Sequence, residues 1–184
     1  MTYEERIGLS LEDYKELSEV TLSDNFNAQD PEIQAALARI TADYLAAAAR
    51  LDLLKKVIFY NREKQLLSEA DRAPVDAPLL SFALDRKTQR LLHGAIGIAT
   101  ESAELLDQVY GSTVKGVALD RVNVREELFD IMWYVAIYLR ELHLNFYAGL
   151  KNNIDKLYVR FQGKFTEFAA KHRDLASERR ILES

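Results

Sequence analysis

The chain has 184 residues, of which 48% are hydrophobic and 29% charged, with a formal net charge of −5. This balance is typical of a soluble protein with one sizeable core, and the acidity argues against sequence-independent binding of nucleic acid, which needs a basic face. There is no cysteine for a disulfide or thiolate metal site, no apolar run near the roughly 20 residues that cross a bilayer, and no signal-peptide core, so we expect a cytoplasmic protein.

Helical patterns dominate the first half of the chain. A short helix is predicted over Ser10–Val20, with its first residue as N-cap and Asp13 in the first turn. The polar stretch 24–30 is expected to be a loop. It ends in Asp30, which as an N-cap before a proline predicts the start of a long helix, Pro31–Glu63, in which apolar residues recur every three or four positions.

The second half contains further predicted helices after a proline-containing connector, Lys64–Leu80. These helices are expected at Asp85–Tyr110, Asn123–His143, Phe146–Phe161 and, in the charged tail, Thr166–Glu183. Gly111 and Gly163 are expected to end the first and third of them, as glycine often does. Asn123 is expected to be an N-cap, because Glu126 three residues later completes a capping box.

No segment shows the alternation of a strand, so the predicted fold class is all-α. We expect a single domain over residues 1–184, formed by a bundle of four to five main helices with an N-terminal extension over residues 1–30.

Two pairs of carboxylates are the feature most suggestive of chemistry. Glu101 and Glu104 are three residues apart in ATESAELLD, and Glu127 and Asp130 are three apart in REELFDIMWY. Residues with this spacing are neighbours on a helix, and successive helices joined by a loop lie side by side. Because both helices are apolar almost all round, the carboxylates need compensation, for which Mg²⁺ with its preference for oxygen ligands is the natural cation. Taken singly, each acid is more often an ordinary solvated residue.

The spacing E-x-x-E, followed after 22 residues by E-x-x-D, resembles the signature of the MazG-like all-α nucleoside triphosphate pyrophosphohydrolases. The resemblance is to the phage-type members of this family. It extends to the segments LLHGAIGIATESAELLD, LDRVNVREELFDIMWYVA, NNIDKLYVRFQGKF and HRDLASERRILE. It covers residues 91–183. Phe129 departs from the family, in which a glycine usually precedes the aspartate.

The resemblance implies a metal- and phosphate-binding core over residues 85–162 and a C-terminal tail over residues 163–184. It implies hydrolysis of a nucleoside triphosphate to a monophosphate and pyrophosphate, with Mg²⁺ as cofactor and Mn²⁺ as a substitute. The metal would orient the phosphates and lower the pKa of a bound water. Its ligands, one of which accepts the proton of that water, would be Glu101, Glu104, Glu127 and Asp130.

Basic residues and asparagines are candidates for phosphate binding. Asn153, Lys156 and Arg160 share one helix face, and the resemblance assigns phosphate to the lysine and the arginine; a solvated basic face is the ordinary alternative. Arg121 and Asn123, expected in the loop before the second acidic helix, can either reach phosphate or simply cap the helix.

Aromatic residues are candidates for contact with the base. Trp133 can stack on a base, although a lone aromatic in a buried helix is more often part of the core, and His93 can touch the nucleotide or be an ordinary helix histidine. The segment LKKVIFYNRE, with Lys55, Lys56 and Tyr60, also mixes donors with aromatics, but we interpret it as the polar face of an ordinary helix.

The favoured substrate is a purine deoxynucleoside triphosphate such as dGTP, with dUTP or dCTP as alternatives. A helical protein that binds or sequesters nucleotides without turnover, and a purely structural helical protein, are the competing functions. The resemblance also implies a homodimer or homotetramer, with the long helix and the tail as candidate interfaces, in the cytoplasm or in the host cytoplasm if the protein is viral.

Overall fold

The computed structural model describes residues 10–23, 29–74 and 85–183. Within these ranges the chain has eight α-helices and no strand, which confirms the all-α prediction. The helices are α1 (Leu11–Glu19), α2 (Pro31–Phe59), α3 (Glu69–Arg72), α4 (Arg86–Thr113), α5 (Arg121–Glu141), α6 (Phe146–Phe161), α7 (Glu167–Lys171) and α8 (Leu175–Glu183). None of these helices combines the length and the apolar character needed to cross a membrane.

The described residues group into two compact units. Those between positions 28 and 143, with α2 to α5, form the central unit; those before 28 and after 143, with α1 and α6 to α8, form the terminal unit. The expectation of a single domain over residues 1–184 stays a prediction.

Local capping explains where the first helices begin. Ser10 and Asp13 form a reciprocal capping box at α1, in which the Asp13 amide donates to Ser10 Oγ at 3.0 Å and the Ser10 amide donates to the Asp13 carboxylate at 2.9 Å. Asp30 caps α2 by accepting from the Glu32 amide at 2.7 Å, with Pro31 in the first turn. Both predicted starts are confirmed, whereas α2 ends at Phe59, four residues earlier than predicted.

The predicted end of α4 and start of α5 are wrong. The fourth helix continues through Gly111 to Thr113, and the left-handed residue lies further on at Gly116, with φ +69°. Asp120, not Asn123, caps α5, since its carboxylate accepts from the backbone amides of Val122 at 3.0 Å and Asn123 at 3.2 Å.

Arg121 and Asn123 therefore lie in the first turn of α5 rather than in the preceding loop. The carboxylate of Asp120 pairs with the N–H groups of Val122 and Asn123. A cap at Asn123 would not reach these two N–H groups. Of the expected loop over residues 24–30, positions 24–28 lie outside the described residues. The expected connector, Lys64–Leu80, is described as far as residue 74 and contains a short 3₁₀ helix, Lys64–Leu66, and α3.

Helices α4 and α5 pack against each other in antiparallel directions. Arg90 near the start of α4 pairs with Glu141 at the end of α5 at 2.6 Å, and Tyr138 donates to the Leu91 carbonyl at 2.9 Å. Further along α4, Gly97 contacts the ring of buried Tyr134. The pairing continues in the same direction, so residues near 101 on α4 face residues near 127 on α5.

Helix α2 completes this central packing by contacting α4. Tyr44 donates a hydrogen bond to the Ala99 carbonyl at 3.1 Å, and Lys55 reaches Thr100 at 2.8 Å. The core of the unit is small and unusually polar, because the buried residues of its long helices include Thr41, Lys55, Thr100, Glu101 and Glu127.

In the terminal unit, α6 has the predicted bounds, and Gln162 and Gly163 end it with φ values of 52° and 90°. Tyr14 of α1 donates to Asn153 of α6 at 3.3 Å. The predicted helical tail is confirmed as α7 and α8, and the buried carboxylate of Glu178 anchors α8 to α6.

Candidate metal centre

Three of the four predicted ligands meet in space. Glu101 of α4 and Glu127 and Asp130 of α5 each offer a carboxylate oxygen, and these oxygens lie within 4.8 Å of one another. Oxygens bound to one Mg²⁺ at about 2.0–2.1 Å are up to about 4 Å apart, so small side-chain rotations bring this set to ligand spacing. The donors are all hard oxygens, which fit Mg²⁺ or Mn²⁺.

Glu104, the fourth predicted ligand, lies at the edge of this cluster. It is exposed and lines the adjoining cavity together with Glu127. The charge of Glu104 nevertheless acts on the cluster. Among the neighbouring charges, that of Glu104 raises the pKa of Glu127 most.

Burial and the repulsion between neighbouring carboxylates both shift the pKa of Glu127. Burial first, and then the negative charges of Glu104, Glu101 and Asp130, raise its pKa from 4.5 to about 7. Burial and the charge of Glu101 also raise the pKa of Glu104. A bound divalent cation would remove this repulsion, because it favours the ionised form of every ligand.

Lys55 contacts this acidic cluster through Glu101, which the sequence interpretation did not predict. The expectation of a solvated polar face was wrong at this position, because Lys55 is only 3% exposed. Its ammonium donates to Glu101 Oε1 at 2.7 Å and Thr100 Oγ1 at 2.8 Å, and lies 3.1 Å from Asp52 Oδ1. Burial lowers the pKa of Lys55, but the hydrogen bonds that its ammonium donates to Glu101 and Asp52 outweigh this effect and raise the pKa above its usual value.

A sequence signal for Lys55 does exist. Thr41, Ala48 and Lys55 follow one another at seven-residue steps, which places them on one face of α2, and all three are buried. A lysine that continues a stripe of small residues therefore indicated a buried charge, which requires an acidic partner.

A cavity of about 550 Å³ adjoins the acidic cluster between α2, α4 and α5. This volume lies in the range of small-molecule sites. Its lining combines small apolar residues with side chains that carry oxygen or amide groups, namely Asp52, Glu104, Asp107, Gln108, Asn123 and Glu127. Of the two candidates for phosphate contact near α5, Asn123 lines this cavity, and Arg121 is exposed at the first position of the helix.

The predicted base-contact residues lie together in an aromatic group. His93 stacks on Phe59 with ring centroids 4.2 Å apart and makes an edge contact with Trp133 at 6.2 Å. Trp133 is 56% exposed, so the interpretation of this residue as core is wrong. Burial and then the nearby charge of Lys55 lower the pKa of His93, which favours its neutral form.

The remaining three candidates, Asn153, Lys156 and Arg160, belong to the terminal unit. Arg160 donates through Nε at 2.8 Å and through its terminal nitrogen at 2.6 Å to the two oxygens of Glu178. Asn153 accepts from Tyr14, and Lys156 is half-buried. Their expected role in binding phosphate stays a prediction.

Comparisons of the chain with protein-family models, with curated proteins and with solved structures found no match.

Proposed function

We propose that this protein is a Mg²⁺-dependent nucleoside triphosphate pyrophosphohydrolase of the MazG-like type. The observation that carries the proposal is the convergence of Glu101, Glu127 and Asp130, from two antiparallel helices, within 4.8 Å. Two buried carboxylates, Glu101 and Glu127, meet the exposed carboxylate of Asp130, and with Glu104 nearby they form the kind of oxygen donor set that a divalent cation needs.

Each part of the site has a role in this reaction. Bound Mg²⁺ would neutralise the phosphates and lower the pKa of a water molecule that it holds. The attacking water oxygen forms a bond to phosphorus while the bond between the α- and β-phosphoryl groups breaks and pyrophosphate leaves. We assign Glu104 to accept the proton of that water, because it lines the cavity and is the one predicted ligand outside the group of three carboxylates that meet.

The substrate is a nucleoside triphosphate, and we favour a purine deoxynucleotide such as dGTP over dUTP or dCTP. The exposed ring of Trp133, in edge contact with His93, offers a flat surface on which a large base gains stacking area. Within the central unit, Arg121 and Asn123 in the first turn of α5 are the proposed donors to phosphate or sugar. The phosphate-binding role of Asn153, Lys156 and Arg160, which belong to the terminal unit, stays a prediction from the resemblance.

The active form that we propose is a homodimer or homotetramer in the cytoplasm. Large apolar side chains of α2 are exposed at helical spacing, with Ile33 at 45%, Leu37 at 40% and Ile40 at 67%. Such a stripe is expected where a second surface covers it.

The test is a panel of ribo- and deoxynucleoside triphosphates with Mg²⁺ or Mn²⁺, assayed for release of pyrophosphate and nucleoside monophosphate. We expect metal-dependent release, strongest for a purine deoxynucleotide, and loss of release on chelation. Nucleotide binding without pyrophosphate release would instead support a sequestering protein, and neither binding nor release would contradict both functions.

Asp130→Asn and Glu104→Gln are expected to lower turnover by at least about 100-fold. This loss is larger than the one typical of residues that only hydrogen-bond to a metal ligand. Both changes keep the size of the side chain, so the circular dichroism of the helices should be unchanged. Glu126→Gln is the matched control, because this exposed neighbour of Glu127 lies outside the cluster and should retain full activity. Wild-type rates in both cluster variants would remove these residues from the site.

A further inference from the structure

The ammonium of Lys55 is surrounded by oxygen atoms in the way that a bound cation would be. Three oxygens, Glu101 Oε1, Thr100 Oγ1 and Asp52 Oδ1, lie 2.7, 2.8 and 3.1 Å from its nitrogen. These three contacts match the three N–H donors of an ammonium group, so the charge is fully satisfied inside the protein. Two of the oxygens belong to carboxylates on different helices, which the ammonium bridges.

Lys55 also changes the charge of the proposed metal centre. Glu101 contributes to both groups, since it pairs with Lys55 and supplies an oxygen to the cluster with Glu127 and Asp130. The side chain of Lys55 is only 4% exposed, so water screens its charge weakly, and a divalent ion near Glu101 would be repelled by it.

The neighbouring residue Lys56 provides a contrast. It pairs with the same Asp52 but is 44% exposed, and its ion pair is made at the surface. Two adjacent lysines thus share one carboxylate partner, while the buried one also reaches Glu101.

We propose that Lys55 is a positioning residue whose ammonium takes the place of a second metal ion, so that the centre binds one divalent cation per chain. The ammonium holds Glu101 Oε1 and leaves the other carboxylate oxygen for the ion shared with Glu127 and Asp130. This inference rests on the proposed metal centre and adds to it the number of ions and the reason for that number.

The experiment counts Mn²⁺ ions bound to the full-length protein, by electron paramagnetic resonance of free Mn²⁺ and by calorimetry. Wild type is expected to bind one ion per chain. Lys55→Ala opens the space between Asp52, Thr100 and Glu101 and is expected to bind two. Lys56→Ala, the matched control, should still bind one, and Lys55→Ala combined with Asp52→Asn should return to one because a charged oxygen is lost.

Each outcome decides the question. Two ions in wild type, or one ion in Lys55→Ala, would overturn the role of Lys55 while leaving the metal centre intact. No ion in wild type would overturn the proposed function itself. If Lys55→Ala is unfolded without metal, recovery of helical circular dichroism with two Mn²⁺ per chain supports the proposal, and failure to recover overturns it.

Discussion

Buried charge occurs in both units of this protein, and each group is built differently. In the central unit one ammonium, Lys55, is shared among acidic partners, whereas in the terminal unit one carboxylate, Glu178, is shared between two arginines. Glu178 is 3% exposed, and both Arg160 and Arg173 contact it with two nitrogens each. Such paired, charge-assisted hydrogen bonds fix the position of a side chain more strongly than single contacts do.

Glu178 gives the terminal unit a pH-dependent stability. Hydrogen bonds from Arg160 and then Arg173 lower its pKa from 4.5 to about 2. Because the folded-state pKa is depressed, the stabilisation is present above pH 4.5 and is lost as the pH falls towards 2. Glu178→Gln is therefore expected to lower the free energy of unfolding by about 1.5–3 kcal/mol at pH 7, with a smaller difference from wild type at pH 3.

Urea titrations of wild type and variant at a series of pH values measure this effect. Glu183→Gln is the control, since this residue pairs with Arg179 on the surface of the same helix, and such exposed pairs contribute little. A cost for Glu178→Gln that is the same at pH 7 and pH 3 would show that packing, not charge, anchors α8.

At the scale of helices, the approach of α4 and α5 decides the geometry of the acidic cluster. Gly97 has no side chain, and the ring of Tyr134 occupies the space in which a Cβ would lie. At Gly94, one turn earlier, a Cβ would be 2.8 Å from the ring of Tyr138. These two close contacts set the distance between the helices and so bring Glu101 near Glu127.

Gly97→Ala is expected to destabilise the protein by about 1–3 kcal/mol, because the added methyl group overlaps a buried ring that has little room to move. Gly111→Ala is the matched control in the same helix. A Cβ there meets nothing within 4 Å, so that change should stabilise the protein by about 0.5–1 kcal/mol through helix propensity. Denaturant midpoints measure both, and equal effects of the two changes would contradict the close contact at Gly97.

At the scale of the whole molecule, large apolar side chains are exposed where small and polar ones are buried. Ala48, Ala103, Tyr134 and Phe161 are the buried hydrophobic residues in the described part of the chain, while large residues such as Ile40 and Phe129 are each 67% exposed. Apolar area left in water in this amount costs free energy that association recovers. It is the physical basis of the proposed homodimer or homotetramer.

Ile40→Glu is expected to weaken self-association at least tenfold, a loss of about 1.4 kcal/mol, because it places a charge at the most exposed residue of the apolar stripe Ile33, Leu37 and Ile40. Sedimentation velocity over a range of concentrations measures it. Ala38→Glu introduces the same residue on another face of the helix and should leave association unchanged. A wild-type chain that is monomeric at all concentrations would contradict the proposed assembly.

Much of the helical structure follows from the sequence alone, because helix patterns and caps are local. The Ser10 N-cap with Asp13 in the first turn, the Asp30 and Pro31 start and the bounds of α6 were predicted from neighbouring residues and are confirmed. The cap of α5 was misplaced because Asn123 with Glu126 also fits the pattern of a capping box, and local preference alone does not rank it against Asp120, which accepts from the amides of Val122 and Asn123.

Other features were decided only by tertiary structure. The sequence placed four carboxylates on two helix faces, but the closeness of Gly97 to Tyr134 determines which oxygens meet. The partners of the buried ammonium of Lys55 could not be predicted from the sequence for the same reason. A lysine is costly inside a protein unless partners surround it, and its partners, Thr100 and Glu101, lie on another helix more than 40 residues further along the chain.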